Sequence, residues 1–64
     1  MILDNETARD YHDTIRRHFN DRLTDWEDGF LQSIDLKLMQ DRLLTENQSR
    51  TLDDLMTRFA RSYR

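Results

Sequence analysis

Sixty-four residues with no cysteine and a net charge of −3 make one domain at most, and exclude both a disulfide framework and a thiolate metal site. With no proline, one glycine and no valine, the chain has few turn formers and few strand formers, which excludes a sheet and predicts an all-α fold. A chain this short buries only roughly 60% of the surface its unfolded form exposes, so idealised helix packing or oligomerisation must supply the stability.

Met1-Ile2-Leu3 is the longest unbroken apolar run. It is too short for a transmembrane helix or the apolar core of a signal peptide, so the expected location is the cytoplasm. Asp4 then offers an N-cap for a first helix over about 5–21. Ala8, Tyr11, Ile15 and Phe19 recur at spacings of three and four on one apolar face. Arg9, Asp10, Asp13, Arg16 and Arg17 fall on the other side, with Asp13 and Arg17 spaced as a surface ion pair. His12 and His18 point about 120° apart on a helix and cannot chelate one metal from it; they read as surface histidines.

The second helix, expected over about 25–40, starts with an unusually clear signal. Thr24 followed by Glu27 fits the capping box, and Asp25, Glu27 and Asp28 place negative charge on the positive end of the helix dipole. At about 100° per residue, Trp26, Phe30, Leu31, Ile34 and Leu38 share one broad face, which reads as core. Leu36, Met39 and Leu43 form a second stripe, beside Gly29 and Gln32. Gly29 has two readings: simple tolerance, at roughly 1 kcal/mol relative to alanine, or close approach by a neighbouring helix. The second stripe also has two. It is a homodimer seam or partner surface, or the helix ends near Leu36 and these residues fold back into the core.

Thr45 with Gln48 repeats the capping box, again preceded by leucine, and opens a third helix over about 46–62. The two starts are 21 residues apart, and at that offset Leu31 matches Leu52, Ile34 matches Leu55 and Leu38 matches Phe59. Leu52, Leu55, Met56, Phe59, Ala60 and Tyr63 make the apolar face of this helix. Arg50, Thr57, Arg61 and Arg64 lie opposite, with Asp54 among them. Charge is uneven along the chain: residues 1–49 hold eleven acids against six bases, and residues 50–64 hold four arginines against two aspartates.

The stretch from Leu23 to Phe59 resembles a helical module of small bacteriophage and prophage proteins. Its pattern is Leu-Thr/Ser-x-Trp-Glu-x-x-Phe-Leu-x-Ser-Ile, then a turn, then Leu-Ser/Thr-x-x-Gln and a leucine-spaced helix. Trp26, Glu27, Phe30, Leu31, Ser33, Ile34, Leu44, Thr45 and Gln48 carry the likeness. The resemblance implies a phage or mobile-element origin and no particular mechanism.

No catalytic constellation is visible. Aligning Gly29 with a calcium-loop glycine puts Thr24 and Trp26 where carboxylates belong, and no glycine-rich phosphate loop exists. The expectation is a compact three-helix, self-associating, non-enzymatic protein with no cofactor. Its partner would be a second copy, or a host or phage protein, engaged through Leu36, Met39 and Leu43. Inhibition of host defence or regulation of DNA metabolism would be typical roles. The alternative is a nucleic-acid binder using Arg50, Arg61 and Arg64, against which stand the net negative charge and a pI near 5.1.

Overall fold

The computed structural model describes residues 2–62 and places them in an all-α, three-helix fold: α1 (Asn5–His18), α2 (Asp25–Met39) and α3 (Glu46–Ser62). Met1, Tyr63 and Arg64, which sequence reasoning put in the apolar lead-in, the apolar face and the arginine face, lie outside the described residues, as does the Ser62 side chain. A short 3-10 turn (Asn20–Arg22) joins α1 to α2.

Each helix begins where its capping residue dictates. The Asp4 carboxylate accepts from the Thr7 amide at 2.7 Å. Thr24 Oγ1 accepts from the Glu27 amide at 3.2 Å while the Glu27 carboxylate accepts from the Thr24 amide at 2.9 Å. Thr45 and Gln48 make the same reciprocal pair at 3.1 and 3.0 Å, so two orphan amides are satisfied at both later starts. α1 ends earlier than its apolar spacing predicts. Phe19 leaves helical geometry, donates its amide to the Ile15 carbonyl and turns the chain into the 3-10 segment. α2 ends without glycine. Asp41 adopts a positive φ of 57°, the Asp41 amide bonds the Leu38 carbonyl, and the Arg42 amide bonds the Lys37 carbonyl. These two bonds define a Schellman motif.

Leu3, Ala8, Ile15, Phe19, Leu31, Ile34, Leu44, Leu52, Leu55 and Phe59 form one buried cluster. The leucine matches between the second and third helices hold, since Leu31, Ile34, Leu52, Leu55 and Phe59 all enter it and Leu38 packs on its edge. Phe19 and Phe59 stack with centroids 5.1 Å apart, joining the end of α1 to the end of α3. α1 packs against both later helices and is the hub of the fold, although the second helix has the clearest helix start in sequence.

Four assignments need correction. Trp26, expected in the core, is 65% exposed. Ala60, expected on the apolar face of α3, is exposed. His12, expected at the surface, is buried, because it lies one turn from Ala8 and in line with Ile15 and Phe19. Its Nδ1 lies 3.0 Å from Asp13. Asp13 therefore faces His12 and Arg9, rather than the expected Arg17.

Candidate functional site

The orientation of α2 decides which of its side chains are buried and which are exposed. Its inner face consists of Glu27, Leu31 and Ile34, with Leu38 half-buried. Glu27 explains why Trp26 is turned outward. Sequence reasoning gave this glutamate a capping role alone; it is also buried, and both its oxygens are used. One accepts from the Thr24 amide and the other from the Arg58 guanidinium of α3. A residue adjacent to Glu27 lies about 100° around the helix from it, so Trp26 leaves the core. A buried carboxylate is tolerable only when its lone pairs are met in this way.

Polar ties hold both edges of the helix. On the α1 side, Arg9 donates to Asp35 at 2.7 Å and Arg16 donates to Asp28. On the α3 side, Arg58 holds Glu27 and Lys37 donates to Gln48 at 3.0 Å. The hydrogen bond from Arg16 holds the Asp28 carboxyl below the ordinary aspartate range, and Arg9 does the same to Asp35. Burial pushes Glu27 upward. The Thr24 amide and Arg58 together outweigh it, leaving that carboxyl below its usual value.

With both edges tied, the outer face of α2 carries Trp26, Gly29, Ser33, Leu36 and Met39, all exposed. Leu36 is 57% exposed and Met39 73%. Leu43, at 62%, lies beyond the helix in the connection to α3, where neighbouring Leu44 takes the buried position. The fold-back reading of this stripe is thereby corrected: the core is complete without these three side chains. Trp26 stacks flat on half-buried Phe30, with centroids 5.4 Å apart and planes 5° apart. Sequence reasoning missed Trp26 as part of this face. The signal was present in the spacing 26, 29, 33, 36, which runs alternately three and four, but it was read from the apolar residues alone.

Gly29 meets nothing within 4 Å of where a Cβ would stand, so no helix of this chain approaches it. Two shallow depressions flank Gly29 and Ser33, one shared with Trp26 and Phe30 and the other with Leu36, Met39, His12 and Arg16. Ser33 Oγ donates to the Gly29 carbonyl at 3.2 Å, which folds its hydroxyl back on the helix and leaves a trough between Trp26 and Leu36.

The arginines of α3 are arranged differently. Arg50 and Arg61 are exposed and share one side of the helix, but Arg50 lies 3.9 Å from Glu46 and Asp54 falls between the two. Arg58, also in α3, is committed to Glu27. Among the described residues, no group of three or more His, Cys, Asp or Glu side chains could hold a metal ion. No helix of the described residues is long and apolar enough to cross a membrane. No protein-family model, curated protein or solved structure matches the chain.

Proposed function

We propose that the chain is a non-enzymatic protein-interaction module of phage or mobile-element origin. Its binding surface is the outer face of α2 and the connection after it, with Leu36, Met39 and Leu43 as apolar contacts. The observation that carries this reading is the exposure of Leu36 and Met39 on a helix whose core-facing residues are already buried, with Leu43 exposed in the connection that follows. Large apolar side chains left in water forgo roughly 1.5–3 kcal/mol each, a sizeable fraction of the stability of a small domain, and a protein partner recovers that loss. Inhibition of a host defence protein or regulation of DNA metabolism are the roles such a module would serve in the cytoplasm of an infected cell.

Changing Leu36 and Met39 together to lysine tests the reading. The expected result is an unchanged helical circular-dichroism spectrum with loss of protein association, whether with another copy or with a host or phage protein. Unfolding of this variant, or unaltered association with every partner, overturns it.

The nucleic-acid reading rests on Arg50 and Arg61 sharing a face. Glu46 and Asp54 interrupt the row, and a phosphate-binding surface needs uninterrupted positive charge. A gel shift near physiological salt, lost in an Arg50→Ala/Arg61→Ala/Arg64→Ala variant, would place it first.

A further inference from the structure

We infer that the occupant of the outer face of α2 is a second copy of this chain, its α2 running antiparallel and crossing at Gly29 and Ser33. The inference rests on the reading of that face as a protein-binding surface and adds the partner and the register.

The face is self-complementary. Trp26, Gly29, Ser33 and Leu36 follow the three-four-three spacing of a seam between two helices. The order along it is large, small, small, large. A two-fold axis passing level with Leu31 sets Trp26 opposite the second copy's Leu36 and Gly29 opposite the second copy's Ser33, and the same pairs recur on the other side of the axis. Such an isologous contact is what closes a dimer. The small side chains of Gly29 and Ser33, with a shallow depression on either side, permit close approach of the two backbones, and Trp26 and Leu36 fill the space at either end.

Charge selects the antiparallel direction. α2 begins with exposed Asp25, and exposed Arg42 follows its end, whereas Asp28 and Lys37 are engaged within the chain. Antiparallel helices set the acidic start of one copy beside the basic end of the other, and oppose the two helix dipoles. A parallel pair would set acid beside acid.

The area sets the strength. Covering Trp26, Leu36 and Met39 removes roughly 100 Å² of side chain apiece. Over two copies, with the helix backbone at the crossing and the polar flanks, the contact comes to about 1,000–1,200 Å², the lower edge of specific interfaces. An interface of that size suits a weak, reversible dimer.

Gly29→Gln separates this contact from the fold, since the space outside Gly29 is open in the single chain and glutamine favours helix over glycine. Sedimentation velocity from about 5 μM to 1 mM should show a monomer–dimer equilibrium for the native chain. Emission of Trp26, the only tryptophan, should move to shorter wavelength as concentration rises. Gly29→Gln should keep or raise the melting temperature at low concentration and weaken dimerisation on the order of 100-fold, the effect of obstructing a central contact. The native chain has no cysteine, so register can be read by disulfide trapping. A mixture of Trp26→Cys and Leu36→Cys chains should cross-link unlike chains faster than like ones.

A native chain that stays monomeric to 1 mM, or a Gly29→Gln variant that dimerises as the native chain does, overturns the inference. Preferential like-chain cross-linking overturns the antiparallel register. The broader reading fails separately. If the native chain is monomeric but the Leu36→Lys/Met39→Lys variant loses a purified protein partner that the native chain binds, the face docks another protein and the dimer alone is wrong.

Discussion

Leu31 and Leu36 lie five residues apart on the same helix, yet Leu31 is fully buried and Leu36 is 57% exposed. The residue type is identical and the surroundings differ. Leu31 shares its side of α2 with Glu27 and Ile34, all three buried. Leu36 shares its side with Gly29 and Ser33, and no other part of the described chain covers it. The contrast shows that an apolar side chain on an amphipathic helix identifies a surface that needs covering. It does not identify what covers it. On α2 the inner surface is covered by α1 and by the core residues of α3, while no other part of the described chain covers the outer one.

The largest test of that contrast is truncation on each face. Leu31→Ala removes a buried side chain from a complete core and should cost about 2–5 kcal/mol. Leu36→Ala in the dilute monomer should change stability by no more than about 0.5 kcal/mol. Urea melts at low micromolar concentration measure both, and equal losses would erase the distinction between the faces.

Next in size is the capping residue that starts the helix. Thr24→Ala should cost about 0.5–2 kcal/mol, with Thr24→Ser nearly neutral. Thr45→Ala should fall in the same range. Of the two, Thr24→Ala is expected to be the more costly, because the Glu27 that answers Thr24 is buried against Arg58, whereas Gln48 is only partly buried and bonds Lys37. A Thr45→Ala variant as stable as the native chain would remove that capping box as a stabilising element.

Acid sharpens the comparison from the inner side. Glu27 has a carboxyl whose value in the fold lies below the 4.5 of an unperturbed glutamate. Its contribution is fully present above about pH 4.5 and is lost as pH falls through the lowered value. Asp4, Asp28 and Asp35 are shifted the same way, so the native melting temperature should fall steadily below pH 4.5. Glu27→Gln should melt lower at neutral pH and show a shallower fall in acid. An identical slope in the two proteins would mean that Glu27 is not linked to folding.

The smallest effect is expected at the far end of α2. Asp41 holds a positive φ in a position that favours glycine, so Asp41→Gly should stabilise by up to about 1 kcal/mol, the cost of a left-handed conformation for an L-residue. No gain in a thermal melt would count against the Schellman geometry there.

Much of this fold was legible in sequence because it is written in local chemistry. Thr24 with Glu27 and Thr45 with Gln48 mark their helix starts within four residues, and the spacing of Leu52, Leu55 and Phe59 marks the inner face of α3. What escaped was non-local. The choice between Trp26 and Glu27 for the interior depends on Arg58, 31 residues further on, and no periodicity within α2 reveals that partner. His12 was misread for a related reason, as its polar type masked a position in line with Ala8 and Ile15. The exposed stripe of Leu36, Met39 and Leu43 was visible as a second row of apolar residues. The share of Trp26 in the same face became visible only once the rotation of the helix was known.

The amide of Leu3 donates to the buried hydroxyl of Ser49 at 3.0 Å, a bond that spans 46 positions of the chain. On the ribosome, this bond cannot form until Ser49 has been made. Leu3 and the residues beside it have no seat until Ser49 and the helix around it have cleared the exit tunnel. α1 and α2, already made, face the same delay, because the core side of α1 is shared with α3. We expect a nascent chain halted before Ser49 to be susceptible to protease throughout. Once α3 is free, protection should arrive in a single step, because the core side of α1 is completed only by that helix.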